Sequence, residues 1–83
     1  MQIYYSDTAK EKLNALERED RNRIIDKVQH YAAHADPLEF AEPLTGYPLF
    51  RFRIGNHRVI FQIIHSVMFV IAIDRRDKAY RDL

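Results

Sequence analysis

The chain has 83 residues, enough for one domain, 1–83, and too few for a second. Its hydrophobic content of 47% suffices for a packed core and argues against a disordered chain. It contains no cysteine, which excludes disulfides and thiolate chemistry, and no apolar run reaches the roughly 18 residues that a membrane span needs. Residues 1–7 lack the basic and then apolar pattern of a signal peptide, so a cytoplasmic protein is expected.

The formal net charge of +1 conceals two oppositely charged halves. Residues 1–42 hold six Lys/Arg and nine Asp/Glu, whereas residues 43–83 hold seven Lys/Arg and three Asp/Glu. A basic C-terminal half favours a partner that carries phosphate or acidic side chains. A solvated surface on which charges cluster by chance has the same pattern, so charge alone leaves both interpretations open.

The first half of the chain predicts one strand followed by two helices. Residues 2–6 are β-prone, and Ser6 or Asp7 is suited to cap the helix that follows. Apolar residues recur at helical spacing in that helix and in a second one, from about Asp20 to His34. Asp36-Pro37 ends the second helix, because the residue before a proline is disfavoured in helical conformation.

The second half predicts a loop and three strands. Residues 36–48 contain all three prolines and form the loop, and the strands follow at about 49–54, 57–65 and 67–74. The last strand is continuously apolar, which favours a central strand covered on much of both faces. The order β-α-α-β-β-β predicts an α+β fold in which two N-terminal helices pack on one face of a mostly antiparallel, roughly four-stranded sheet. The other face of the sheet is then free to bind.

The first two of these strands place arginines away from the apolar side chains. Phe50, Phe52 and Ile54 alternate with Arg51 and Arg53, and the Gly55-Asn56 turn leads to His57 and Arg58. A guanidinium presents a planar fork of donors suited to phosphate, and a tyrosine ring is suited to stack on a base. The candidate nucleic-acid surface comprises Arg51, Arg53, Arg58, Arg75, Arg76, Lys78, Tyr80 and Arg81, with His57 nearby. The alternative is a row of cross-strand ion pairs with acids such as Asp74 and Asp77.

Other kinds of chemistry have little support in the sequence. His30 and His34 are four residues apart on the second helix and could share a metal ion, but two histidines alone make a weak site. The alternative is that they are two residues on the polar face near the helix C-terminus, where partial positive charge is mildly favourable. The chain has no P-loop, dinucleotide fingerprint or nucleophile elbow, so no cofactor is expected.

Three segments of the chain form a recognisable pattern: Pro43-Leu44-Thr45-Gly46, the run from Phe50 to Phe61, and the run from Ile73 to Arg81. Together they resemble the RelE/ParE superfamily of type II toxins. The resemblance covers essentially the whole chain and implies the fold derived above. It also implies a small antitoxin that wraps the toxin, and one of two activities. The RelE branch cuts messenger RNA at the ribosome, whereas the ParE branch poisons DNA gyrase.

The resemblance assigns site residues by position, and the late tyrosine favours the RelE branch. Arg51 and Arg53 lie where RelE-like enzymes often have lysines, and Arg58 matches the residue that contacts the scissile phosphate. Arg75 or Arg76 matches a later basic residue, and Tyr80 matches the tyrosine. Lys78 and Arg81 add RNA-binding charge.

The chain departs from the family in two ways. Its tail motif opens with Asp74-Arg75, where relatives often have histidine. Arginine also replaces lysine, and a guanidinium does not act as a general base because its pKa exceeds about 12. His57 is the only histidine close to the motif and is therefore the candidate base. The leading hypothesis is a ribosome-dependent mRNA endonuclease with an antitoxin partner, and the alternative is a gyrase inhibitor without nuclease activity.

Overall fold

The computed structural model describes residues 1–75 as two helices packed on a five-stranded sheet. In chain order the elements are β1 (Gln2–Tyr5), α1 (Asp7–Ala15), α2 (Arg18–Ala33), a 3₁₀ helix (Pro37–Phe40), β2 (Glu42–Pro43), β3 (Phe50–Ile54), β4 (His57–Ile64) and β5 (Val67–Arg75). The strand order is β1-β5-β4-β3-β2, with β1 parallel to β5 and the other neighbours antiparallel. The predicted α+β class and mostly antiparallel sheet are confirmed.

The strand count differs from the prediction because part of the predicted loop joins the sheet. Glu42 pairs with Arg51 and Pro43 pairs with Phe50, which makes β2 a two-residue edge strand. A proline is tolerated there because an edge strand need not donate every backbone N–H. The consequence for the site is that a carboxylate is brought beside the arginines of β3.

Ser6 anchors the first helix to the sheet. Its side-chain oxygen accepts a hydrogen bond from the Ala9 N–H at 3.1 Å, which caps α1, and the same hydroxyl donates to the Ile71 carbonyl at 3.0 Å. The Ser6 N–H donates to the Val70 carbonyl at 2.9 Å. Ile71 lies in a bulge, since Ile60 pairs with Ala72 and the next residue of β4 pairs with Val70.

Both helices bury their apolar stripes on one face of the sheet. The helices contribute Ala9, Leu13, Ile24, Val28 and Ala32, and the strands contribute Phe52, Ile54, Val59, Phe61, Met68, Val70 and Ile73. The rings of Phe52 and Phe61 stack at the centre with centroids 4.2 Å apart. Burial of this apolar surface is the main force that holds the helices against the sheet.

The second face of the sheet has no helix on it within residues 1–75. Tyr4 is 55% exposed and Ile64 is 44% exposed, and both project from this face. β5 lies inside the sheet as predicted, and its apolar residues Val67 to Ile73 are buried or half-buried, in line with the expected cover on much of both faces. The half-buried residues form an apolar surface on the open face.

Two tight turns connect the last three strands. Gly55 has a φ of +59°, a conformation that glycine adopts without steric cost, and the predicted turn at Gly55-Asn56 joins β3 to β4. The connection between β4 and β5 uses His65 and Ser66, with φ of 49° and 63°. Positive φ at both central residues is the requirement of a type I′ hairpin turn, although neither residue is the usual Asn or Gly.

Candidate functional site

Three arginines project from the open face of the sheet. The register of the β3–β4 hairpin places Arg53 directly across from Arg58, and Arg51 lies two residues before Arg53 on the same face. The neighbouring strands add two acids to this face, because Glu42 on β2 lies opposite Arg51 and Asp74 on β5 lies opposite Arg58. We call the surface formed by Glu42, Arg51, Arg53, Arg58 and Asp74 the arginine face. The hairpin pattern in the sequence predicts that the three arginines share a face.

Glu42 binds two of these arginines. Its Oε2 accepts a hydrogen bond from Arg51 Nη2 at 3.0 Å, and its Oε1 lies 3.1 Å from Arg53 Nε. Arg53 Nη2 also reaches Oε2, at 3.4 Å. The carboxylate therefore holds both guanidinium groups in place and neutralises one of their two charges. These contacts are not predictable from the sequence, because nothing in the spacing of residues 42, 51 and 53 shows that β2 pairs with β3.

Arg58 has no such counter-ion among the described residues. It forms no ion pair with any other residue in 1–75, and its Nε is buried without a hydrogen-bond partner. Its cross-strand neighbours are another arginine on one side and Asp74 on the other. A half-buried guanidinium with an unused donor, beside a second guanidinium, is an arrangement that an anion would stabilise.

His57 and Arg75 lie on the other side of the sheet. His57 pairs with Ile54 and with Arg75, and it is 6% exposed on the face that the helices cover. Both residues line a cavity of about 280 Å³ together with Glu17, Asp20 and Asn56, next to the α1–α2 connection. Adjacent residues of a strand point to opposite faces, so the structure separates His57 from Arg58. The sequence predicts that His57 and Arg75 lie with the three arginines of β3 and β4. The structure instead places these two residues on the opposite face of the sheet.

The remaining predicted site residues are Arg76, Lys78, Tyr80 and Arg81, which lie outside the described residues, as does Asp77. The alternative of cross-strand ion pairs is realised in part. Among the described residues, the acid that forms ion pairs with Arg51 and Arg53 is Glu42 and not Asp74.

His30 of α2 and His34, the residue just after that helix, lie beside the same aromatic ring. The ring centroids of His30 and His34 lie 6.4 Å and 4.8 Å from that of Phe40. His34 Nδ1 accepts a hydrogen bond from the Asp36 N–H at 3.2 Å. Within residues 1–75 no group of three or more His, Cys, Asp or Glu side chains is arranged to hold a metal ion. Both histidines are exposed, and their contacts include the Phe40 ring and the backbone beside it.

An apolar strip continues the open face beyond the arginine face. We define it by Tyr4, Ile60, Ile64, Val67 and Phe69, which the registers of β1, β4 and β5 place on one side. Tyr4 stacks on Phe69 with ring centroids 5.7 Å apart and an interplanar angle of 19°. The open face thus has a basic end and an apolar end, which together suit a partner that carries both acidic and apolar side chains. No helix within residues 1–75 combines the length and apolar composition that crossing a membrane requires.

The fold is that of small toxins from toxin-antitoxin systems. The isolated E. coli RelE toxin aligns with a TM-score of 0.75 and 18% sequence identity, covering 99% of this chain and 98% of that one. The toxin-antitoxin complex RelBE2 of Mycobacterium tuberculosis contains a chain that aligns with a TM-score of 0.68 and 24% identity, covering 90% of each. The intact E. coli RelBE toxin-antitoxin complex also contains a chain that aligns, with a TM-score of 0.74 and 18% identity, covering 89% of this chain and 94% of that one.

Comparison with protein families assigns the chain more narrowly. Residues 3–80 match the family described as ParE toxin of type II toxin-antitoxin system, parDE. The chain therefore belongs to this family, within the RelE/ParE superfamily of type II toxins that the sequence resembles. No curated protein sequence matches the chain significantly.

Proposed function

We propose that this toxin is an endoribonuclease that cuts messenger RNA on the ribosome and so stops translation in the cytoplasm. The observation that carries the proposal is Arg58, a guanidinium without a counter-ion among the described residues, held beside Arg53 on the open face. Like charges directly opposite each other destabilise a sheet, so their juxtaposition has a better explanation in ligand binding than in folding. A phosphodiester is an anion that the forked donors of arginine fit well.

The proposed reaction uses the RNA's own 2′-hydroxyl as the nucleophile. This oxygen attacks the adjacent phosphorus, and the extra negative charge that develops on the phosphate is stabilised by Arg58, assisted by Arg51 and Arg53. One well-placed donor of this kind is typically worth about 3 kcal/mol in the transition state. By resemblance, Tyr80 stacks on a base and Arg76, Lys78 and Arg81 contact the RNA backbone. Neither a metal ion nor another cofactor is part of the proposal.

The proposed partner is a cognate antitoxin whose acidic, partly disordered segment folds on the open face. The apolar strip and the arginine face together offer such a segment apolar burial and charge complementarity. The similar chains of RelBE and RelBE2 are described in complexes with an antitoxin, which supports the same kind of partner here. A titration with the product of the adjacent gene, at low and moderate salt, tests this proposal. Absence of a complex under both conditions would contradict it.

The second candidate function is inhibition of DNA gyrase without nuclease activity. It is favoured by the family match, whose description names ParE rather than RelE. The two functions differ in what the open face contacts, since a gyrase inhibitor would use it to bind protein and needs no transition-state stabilisation.

Salt dependence of binding tests whether the arginine face contacts phosphate. If all three arginines bind phosphates of single-stranded RNA, the slope of log K against log salt concentration should be about −2. Arg51→Ala and Arg53→Ala should each make that slope shallower, whereas Arg18→Ala, an exposed position at the start of α2, should not change it. An affinity that does not depend on salt would contradict the proposal.

A further inference from the structure

The arginine face supplies cations but needs a group that accepts a proton. Attack by a 2′-hydroxyl requires removal of its proton, and a guanidinium does not accept one. His57 points into the helix-covered side of the sheet, away from Arg58. Within residues 1–75, the acids that the sheet register places on the arginine face are Glu42 and Asp74.

The two carboxylates differ in what they already bind. Each oxygen of Glu42 is engaged by an arginine, at 3.0 Å and 3.1 Å. Asp74 is exposed and forms no ion pair within the described part of the chain, although it lies directly across from Arg58. Side chains at directly opposed positions of an antiparallel pair start about 5 Å apart at Cβ. Arg58 and Asp74 therefore place an available cation and an available proton acceptor side by side.

We propose that Asp74 is the general base of the reaction, an inference that rests on the proposed ribonuclease function. Arg58 binds the scissile phosphate, and Asp74 on the neighbouring strand takes the proton of the 2′-hydroxyl as its oxygen forms a bond to phosphorus. The bond from phosphorus to the 5′-oxygen breaks, and that oxygen takes a proton from water. The products are a 2′,3′-cyclic phosphate and a 5′-hydroxyl, and the proton held by Asp74 returns to solvent. Within residues 1–75, the charged groups that face Asp74 are Arg58 on β4 and, beyond it, Arg53 on β3.

The test is single-turnover cleavage of a defined mRNA on purified ribosomes by the full chain. Asp74→Asn removes the base and is expected to slow cleavage about 10²- to 10⁴-fold. The cleavage rate of wild type should fall toward acid pH, and that of Asp74→Asn should not. The Kd of Asp74→Asn for mRNA with a 2′-deoxy cleavage site should change by less than about twofold. Asp74→Glu keeps a carboxylate and should recover part of the rate. Asp26→Asn, the same change at an exposed position on α2, should cleave like wild type.

Several results would overturn the inference. If wild type cuts RNA and Asp74→Asn cuts it at the same rate with the same pH profile, Asp74 is not the base. If sulfur in place of the 5′-bridging oxygen restores the rate of Asp74→Asn, Asp74 acts on the leaving group and the assignment is wrong. If wild type cuts no RNA, the proposed function itself fails. An equal loss of RNA affinity and rate in Asp74→Asn would assign Asp74 to binding and contradict a role in proton transfer.

Discussion

Arg53 and Arg58 lie directly across from each other on β3 and β4, on the face of the sheet that the helices leave open. One guanidinium is held by Glu42, and the other has no ion pair within residues 1–75. Two like charges at directly opposed positions repel each other, so this pair does not help the chain to fold. Its cost to stability is the physical reason to look for an anionic ligand at this position.

Removal of Arg58 should therefore leave the fold at least as stable. We expect Arg58→Ala to leave the free energy of unfolding unchanged or to raise it by up to about 1 kcal/mol, because cross-strand repulsion is relieved. Urea denaturation followed by circular dichroism measures this. The control is Phe61→Ala on the same strand, which removes a fully buried ring and should cost about 3–5 kcal/mol. A loss above about 2 kcal/mol in Arg58→Ala would assign the arginine a structural role.

Glu42 should restrain the charge of the arginine face. Glu42→Gln removes the counter-ion of Arg51 and Arg53, so RNA affinity at low salt should rise. The slope of log K against log salt concentration should stay near the value of about −2 expected for three arginine–phosphate contacts, because the same three arginines are available. The free energy of unfolding should change by less than about 1 kcal/mol, because the ion pairs are partly exposed. Fluorescence anisotropy with a labelled RNA over a salt series measures the slope. Glu39→Gln on the 3₁₀ helix is the matched control, and a weaker affinity in Glu42→Gln would mean that the carboxylate instead orients the arginines for binding.

Tyr5 carries a buried hydroxyl that no described residue satisfies. Burial raises the pKa of this hydroxyl above its usual 10.0, because the charged form is disfavoured away from water. Tyr5→Phe removes the unpaired group and should leave stability unchanged or raise it by about 1 kcal/mol near neutral pH.

The same shift predicts how stability depends on alkaline pH. Because the folded pKa is raised, the contribution of Tyr5 is fully present below 10.0 and is lost as the pH rises above it. Wild type should therefore lose stability more steeply than Tyr5→Phe in urea denaturation above pH 10. Parallel pH profiles for the two proteins would contradict the burial of this hydroxyl.

The β4–β5 turn should tolerate a stabilising change. His65 and Ser66 both adopt positive φ, which costs residues other than glycine about 1 kcal/mol or more. His65→Asn with Ser66→Gly supplies the residues that a type I′ turn prefers and should raise the free energy of unfolding by about 0.5–1 kcal/mol. The melting temperature checks this, and a lower value than wild type would mean that the turn has a different conformation.

Local patterns predicted the parts of the fold that depend on one segment at a time. Alternation placed Arg51, Arg53 and Arg58 together because the period of a strand fixes which side chains share a face. The turn at Gly55-Asn56 set the register of that hairpin. These two features were enough to define the centre of the arginine face.

Features that depend on two distant segments were missed. The contact of Glu42 with Arg51 and Arg53 requires a two-residue edge strand that has no periodicity of its own. Proximity in sequence groups His57 with Arg58, yet neighbours in a strand face opposite sides. The bulge at Ile71 left no signal in a uniformly apolar run.

The most direct test of the central claim compares wild type and Arg58→Ala in a reconstituted translation reaction. Primer extension on the mRNA detects cleavage, and supercoiling by purified gyrase is measured in parallel. The proposed function predicts that wild type cuts the mRNA within the ribosome and that gyrase is unaffected. Arg58→Ala should cut at least about 10²-fold more slowly, because removal of one such donor has an effect of that size. Intact mRNA together with inhibited gyrase, or an Arg58→Ala variant that cuts at the wild-type rate, would contradict it.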